Sequence, residues 1–326
     1  MNRRDFIVRS SLLASAGLLV RPSISAQTPA VTPKPPMPPG PPVTEFRPLR
    51  RGVGIFTGRG GTIGWLSTKD ALVVVDTQFP DTAALCLAGL PGRGSRQIDV
   101  VLNTHHHADH TGGNGIFKPA ARTIVAQANV PKLMLAAAER AAQAGKPGAA
   151  GPSVMDLTQQ TYPDTTFAEV WRRDFGDECV TAQYFGPAHT NGDAIIHFEK
   201  ANVVHLGDLL FNRLYPVIDR EAGASLHGWI TRLEEAVKTY PADAIYVCGH
   251  GSKKFGVTGV QGDLRVLRDF FTAVLEHVQK QIAAGRSKAE ILTLENLPGF
   301  DDFHAPRPNR LAISLGVAYD ELTTKT

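Results

Sequence analysis

Cysteine is scarce in this chain of 326 residues, which contains only Cys86, Cys179 and Cys248. Three thiols cannot build the multiple-disulfide framework that holds small secreted domains together. One bridge could form, but buried and inert thiols are the default for so sparse a set. The fold must therefore be stabilised by a hydrophobic core, to which the 43% of hydrophobic residues can contribute.

An excess of charge of one sign is also missing. The 34 Lys and Arg residues nearly balance the 31 Asp and Glu residues, which leaves a net charge of +3. No basic run exceeds two residues, as in Lys253-Lys254, which is too short for a phosphate-binding stripe. The sequence therefore excludes nucleic acid as an expected partner and favours a small-molecule substrate. Nothing in it indicates the oligomeric state.

A hydrophobic run long enough to span a membrane is absent from the N-terminus, where Leu12 to Val20 is too short. This stretch follows the pair Arg3-Arg4 and precedes "SISA", a small-residue cleavage site near Ala26. Residues 1–26 resemble a twin-arginine (Tat) export signal, with an ordinary secretory signal as the alternative. We therefore expect a periplasmic or secreted mature protein without a stable membrane anchor.

Residues 27–48 contain nine prolines and are interpreted as an extended linker. The folded domain is then expected at residues 49–326. Short β-branched runs with glycine-rich turns predict strands from Val53 to about residue 104 and again from about 179 to 208.

Longer segments with apolar residues at helical spacing predict helices at 130–143, 226–240, about 260–284 and 308–323. Residues 144–176 begin with a glycine- and proline-rich stretch and are interpreted as an insertion near a site. The whole pattern predicts an α/β fold in which two sheets pack face to face with helices outside.

The run "NTHHHADHTGGNG" places four histidines and an aspartate in six consecutive positions. Along a strand that ends at Thr104, the side chains of His105 and His107 share one face, and His106 points away. Two imidazoles on one face make half of a zinc site, while Asp109 and His110 can reach a second point close by. The run is therefore predicted to bind metal.

The spacing His-x-His-x-Asp-His resembles the signature of the metallo-β-lactamase superfamily. The resemblance extends over about Val53 to Gly251. It includes four further sequence elements, one before the histidine run and three after it, in the order typical of that family. These are "LVVVDT" with Asp76, "GPAHTNGD" with His189, "VVHLGD" with Asp208 and "VCGHG" with His250.

The resemblance implies a four-layer αβ/βα sandwich of two mixed β-sheets, with the metals between the sheet edges. It implies that His105, His107 and His189 hold one metal. Asp109, His110 and His250 would hold the other, and Asp208 would bridge both. Asp76 would orient a ligand histidine through its far nitrogen.

These roles imply a dinuclear zinc-dependent hydrolase, with iron or manganese as alternative metals. A hydroxide shared by the two ions would attack a carbonyl or phosphoryl centre, and Asp109 would orient it and move its proton. Arg213 and Tyr215 either contact the substrate or are merely exposed.

The substrate is open among β-lactams, lactones, esters and phosphotriesters. The resemblance argues against a true β-lactamase, because those members generally lack an aspartate at the place of Asp208. Phe211 stands where lactonases of the family often have tyrosine, and the export signal argues against glyoxalase II. Two other classes remain alternatives: a mononuclear iron enzyme similar to sulfur dioxygenases, and a non-catalytic periplasmic accessory protein.

Overall fold

The computed structural model describes residues 43–143, 160–304 and 309–324. The predicted export signal and residues 27–42 of the predicted linker lie outside these ranges. The first strand, β1 (Glu45–Pro48), lies within the range interpreted as linker and pairs antiparallel with the next strand. The folded domain therefore begins at least four residues before the expected boundary.

The first sheet has seven strands in the order of the chain. Strands β1 to β4 pair antiparallel, and β4 to β7 pair parallel, so the sheet is mixed. The remaining strands are β2 (Val53–Thr57), β3 (Ile63–Ser67), β4 (Leu72–Val75), β5 (Val100–Leu102), β6 (Ile124–Gln127) and β7 (Thr165–Phe167).

The second half contributes a six-stranded sheet and a two-stranded ladder. Its strands are β8 (Val170–Phe175), β9 (Glu178–Tyr184), β10 (Ala194–Phe198), β11 (Val203–His205), β12 (Phe211–Asn212), β13 (Ile245–Val247), β14 (His250–Gly251) and β15 (Thr258–Gly259). The larger sheet has the order β15-β13-β11-β10-β9-β8, and β12 pairs parallel with β14. This sheet is mixed too, because only β11 and β13 pair parallel.

Eight α-helices connect or flank these strands in the described residues. They are α1 (Pro80–Gly89), α2 (Ala108–Thr111), α3 (Asn114–Phe117), α4 (Val130–Gln143), α5 (Leu226–Thr239), α6 (Gln261–Ala283), α7 (Lys288–Ile291) and α8 (Arg310–Thr323). The four long helices predicted from apolar spacing are confirmed. In α5, Ser225 caps the first turn by accepting from Gly228 N, and Leu226, Trp229 and Leu233 form the buried face.

Three apolar layers form the core, and the central one joins the two halves. The central layer joins residues such as Val73 and Leu102 of the first sheet to Ile196 and Val203 of the second. Helix α1 covers the outer face of the first sheet, while α5, α6 and α8 cover that of the second. The predicted four-layer αβ/βα sandwich is confirmed.

The interpretation of residues 144–176 as a single insertion is partly wrong. Residues 144–159 lie outside the described ranges, but β7 extends the first sheet and β8 forms an edge of the second. The segment 165–175 therefore belongs to the sheets. In the part of the chain that the structure describes, no helix combines the length and apolarity needed to cross a membrane.

Candidate metal centre

Five loops that follow strands meet at one edge of the sandwich. Asp76 follows β4, residues 105–110 follow β5, and His189 lies between β9 and β10. Asp208 follows β11, and His250 begins β14. The topology thus brings together residues that are up to 174 positions apart in the sequence (76 to 250). Layered α/β folds typically bind ligands at such strand ends.

The first group of ligands consists of three imidazoles. His107 Nδ1 lies 3.1 Å from His105 Nε2 and 3.0 Å from His189 Nε2. His105 and His189 are buried, whereas the His107 side chain is 20% exposed. The three nitrogens therefore point to one small space that is open on the His107 side.

The second group consists of Asp109, His110 and His250. His250 Nε2 lies 3.1 Å from Asp109 Oδ2 and 3.4 Å from His110 Nε2. Phe211 stacks on the His250 ring, with ring centroids 5.5 Å apart, because β12 and β14 are hydrogen-bonded neighbours. Asp109 and His250 are 28% and 25% exposed, so this group also faces the open side.

Asp208 lies between the two groups and turns one carboxylate oxygen to each. Its Oδ2 lies 3.9 Å from His105 Nε2 and 3.5 Å from His189 Nε2. Its Oδ1 lies 3.1 Å from His110 Nε2 and 3.4 Å from His250 Nε2. The structure thus brings together all seven residues that the sequence analysis assigned to metal binding.

The donor set fits two divalent cations. Asp208 Oδ1 is buried, yet it accepts no well-aligned hydrogen bond from any residue that the structure describes. An unsatisfied buried carboxylate oxygen is costly, and a cation would satisfy it. Imidazole nitrogens that converge without a polar partner between them are typical of a metal site. The four residues His105, His107, His189 and Asp208 and the three residues of the second group are each close enough to hold one ion.

The electrostatics of the two groups differ. Burial and neighbouring imidazoles hold the pKa of His105 well below its usual range, and burial lowers the pKa of His189 to about 3. These rings are neutral at pH 7, so their lone pairs can bind a cation. Burial would also lower the pKa of His110, but Asp208 and Asp76 outweigh it and raise that pKa. A cation at the second group would therefore displace a proton.

Asp76 supports the second group from behind, as expected from the resemblance. Its Oδ2 accepts from His110 Nδ1 at 2.7 Å and from Thr104 Oγ1 at 2.7 Å. Its Oδ1 accepts from Thr104 N at 2.7 Å, and its backbone has a φ of 62°. Asp tolerates this left-handed conformation better than most residues. Two donors of Thr104 therefore fix the carboxylate, which in turn orients the ring of His110.

Asp219 is a contact residue that the sequence analysis missed. Its Oδ2 accepts from His107 Nε2 at 3.0 Å and lies 3.6 Å from His106 Nε2. His106 belongs to neither group, but its ring centroid lies 4.5 Å from that of His107, and neither of its ring nitrogens has a hydrogen-bond partner among the described residues. A lone aspartate in "PVIDREAG" carries no pattern that could have indicated this contact.

Neither Arg213 nor Tyr215 lies at the metal centre, which contradicts the expectation that they contact substrate or are exposed. Arg213 pairs with Asp263 at 3.0 Å and lies over the Phe255 ring. Tyr215 is 6% exposed and packs against Phe270 and Phe303 in the apolar layer beneath α5, α6 and α8.

Gly249 leaves the space that the Asp208 carboxylate occupies between the two groups. A Cβ there would lie 1.9 Å from Asp208 Oδ1. Gly249→Ala is therefore expected to displace Asp208 and to weaken divalent-metal binding about tenfold to a hundredfold, as measured by metal content after dialysis. Gly262→Ala is the control, because its Cβ would meet nothing nearer than 3.8 Å. Metal retention by Gly249→Ala equal to that of the control would contradict this account of the glycine.

Comparisons with known proteins agree with the fold and the site. The model of the metallo-beta-lactamase superfamily matches residues 56–250, more than half of the chain. A hydroxyacylglutathione hydrolase from Methylococcus capsulatus is 27% identical over 190 residues. The match covers 55% of this chain and 59% of that relative, so the chain spans less than two thirds of the relative's length.

Solved structures show the same fold at low sequence identity. A metallo-beta-lactamase from Pontibacter korlensis has a TM-score of 0.53 at 19% identity, covering 71% of this chain and 99% of the other. A double mutant of the sec-alkyl sulfatase PisA1 has a TM-score of 0.60 at 17% identity, covering 82% of this chain and 49% of the other. With the matched residues spanning the described ligand set, this chain belongs to the metallo-beta-lactamase superfamily.

Proposed function

We propose that the protein is a dinuclear zinc-dependent hydrolase of small acyl compounds. The observation that carries this proposal is the position of Asp208, with one oxygen facing each ligand group at 3.1–3.9 Å. A carboxylate placed in this way can be shared by two ions. Histidine nitrogen with carboxylate oxygen is a donor set that suits zinc, and iron or manganese also accept it.

Two divalent ions, if held by these residues, would supply a water with a pKa lowered toward about 7 and an electrophile for the substrate oxygen. Asp109 is the residue that would orient this water. Burial would raise its pKa, but the imidazoles of His110 and His250 hold the pKa well below its usual range. The carboxylate is therefore ionised and partly exposed, so it can accept a hydrogen bond from the attacking water and orient it.

The walls of the site exclude bulk water from its inner side. His105, His110 and His189 are buried, and Phe211 and Trp229 pack against the ring of His189. The open side is formed by His107, Asp109, Asp219 and His250, each 19–28% exposed. A substrate would therefore approach the two groups from this side.

Two findings support an acyl substrate. The Methylococcus relative is named as a hydrolase of hydroxyacylglutathione, which is an acyl thioester. In addition, this chain has Asp208 where true β-lactamases of the superfamily generally lack aspartate. Esters, thioesters and lactones are therefore the first substrates to test, with β-lactams and phosphotriesters as the comparison.

The test is hydrolysis by purified, zinc-loaded protein of one chromogenic substrate from each of these five classes, with and without chelator. We expect chelator-sensitive turnover of an acyl substrate with kcat/KM of about 10⁴ M⁻¹s⁻¹ or more. Turnover of a cephalosporin alone would replace the acyl hydrolase with a β-lactamase. A protein that holds two zinc ions and hydrolyses none of the five would refute the proposal. A single bound iron with oxygen consumption on a persulfide would favour the dioxygenase alternative.

A further inference from the structure

One loop contacts two histidines of the first group from the side opposite the ligand nitrogens. In this loop, residues 213–225, Asp219 Oδ2 accepts from His107 Nε2 at 3.0 Å. The carbonyl oxygen of Val217 accepts from His189 Nδ1 at 2.9 Å. Each ring then has its remaining nitrogen turned inward, and these two nitrogens, His107 Nδ1 and His189 Nε2, lie 3.0 Å apart.

Asp219 is held firmly enough to act on His107. Its Oδ1 accepts from Ala222 N at 3.1 Å, and its carbonyl oxygen accepts from Ala224 N at 2.9 Å. Gly223 closes this turn with a φ of 90°, which favours glycine. One carboxylate oxygen therefore fixes the loop, which leaves the other to hold the imidazole of His107.

The far end of the same loop is anchored by Glu321 of α8. The Glu321 carboxylate is 8% exposed and accepts from Arg220 Nη1 at 2.9 Å and from Leu226 N at 2.8 Å. It also accepts from His227 Nδ1 at 2.9 Å. A single buried carboxylate thus connects α8 to Arg220, which follows Asp219, and to the first residues of α5.

We propose that Val217 and Asp219, anchored by Glu321, form a clamp that sets how tightly the first of the two ions is held. Asp219 and Glu321 are positioning residues in this account, since each acts through His107 or through the loop. The inference rests on the proposed function, because it needs two bound ions. It goes further, because it makes the binding of one ion depend on a loop that contributes no ligand.

The physical reason is the choice of tautomer and ring orientation. A proton held on His107 Nε2 by Asp219 leaves the lone pair on Nδ1, which faces the first group. Without the carboxylate, the ring can rotate or move the proton to Nδ1, and either change competes with the ion. The second group has its own support in Asp76, so the effect stays confined to one ion.

The experiment follows zinc release from the full-length protein into a chromogenic chelator. We expect wild type to release two ions per chain. Asp219→Ala should speed the release of one ion by about tenfold to a hundredfold and leave the other unchanged. Asp219→Asn keeps an acceptor oxygen, so its rate of zinc release should lie between those of wild type and Asp219→Ala. In protein loaded with Co²⁺, the absorption of one site should change and that of the other should not.

Two matched controls separate this role from a general loss of stability. Glu221→Gln changes a carboxylate in the same loop that pairs only with Arg140 in an exposed position. Asp320→Asn changes the neighbour of Glu321, which pairs with Lys288. Both controls should release zinc like wild type, whereas Glu321→Gln should resemble Asp219→Asn although it lies far from the ions.

Two results would overturn the clamp while leaving the proposed function intact. Zinc release from Asp219→Ala and Glu321→Gln at the wild-type rate is the first. The second is a third zinc ion in wild type that Asp219→Ala alone loses, because Asp219 would then be a ligand together with His106 and His107. A wild-type protein that binds no zinc would refute the clamp and the proposed function together.

Discussion

Asp208→Asn is expected to lower kcat/KM on the acyl substrate by about a thousandfold and to leave fewer than two zinc ions per chain. Asparagine preserves the shape of the side chain but replaces one oxygen with an NH₂ group. In either orientation, that donor faces imidazole nitrogens 3.1–3.9 Å away from the replaced oxygen. One of the two ligand groups therefore loses its carboxylate oxygen and gains a repulsive contact with the ion.

The measurements are zinc content by elemental analysis and kcat/KM on the same preparation. Asp243→Asn is the control, because Asp243 is an exposed carboxylate in the loop before β13. The control should match wild type in both quantities. A fully metallated Asp208→Asn variant with wild-type turnover would show that Asp208 does not bridge the two groups.

Removal of the metal is expected to lower the midpoint of thermal unfolding by on the order of 10 °C. An ion that binds only the folded state stabilises it by about 4 kcal/mol when free metal exceeds Kd a thousandfold. For a domain of this size, each kcal/mol shifts the midpoint by about 2–4 °C. The buried Asp208 Oδ1 supplies the physical reason, because it has no hydrogen-bond partner among the described residues without the ions.

Calorimetry of zinc-loaded and chelator-treated protein measures this shift. Zinc added back after removal of the chelator should restore the midpoint, whereas magnesium should not, because histidine nitrogen is a poor ligand for it. Equal midpoints for the loaded and stripped proteins would mean that the ligand groups are stable without ions.

Apolar periodicity predicted the long helices but missed α1. Helices such as α5 alternate a buried face with a polar one, so their spacing is visible in the sequence. Helix α1, with the sequence "PDTAALCLAG", is nearly apolar all round. Its Leu85 is 44% exposed, while the buried side includes Thr82. A short helix with so little contrast between its faces has no periodic signal.

The strands β7 and β8 were missed for a different reason. Both lie at edges of sheets, and β8 has four exposed residues out of six, including Arg172 and Arg173. An edge strand has one paired side and much of its surface in water, so its sequence lacks a buried alternation. A glycine- and proline-rich stretch just before them made the whole region look like loop.

The site was predictable where its residues are close in sequence. The histidine run alone predicted metal binding, and the family resemblance predicted the distant residues in their order along the chain. Asp219 shows the limit of this reasoning. Whether a loop carboxylate contacts a ligand histidine depends on how the loop packs on α8, and no local pattern records such packing.

The division of the ligands between the two halves determines when the centre can form during synthesis. His105, His107, Asp109 and His110 leave the ribosome well before His189, Asp208 and His250, and the Glu321 anchor comes near the end of the chain. A nascent first half offers an incomplete set of donors that can exchange any ion it picks up. A dinuclear centre of the proposed kind would therefore capture both ions stably only after the second half is made and docked, which would make metal binding a late step of folding.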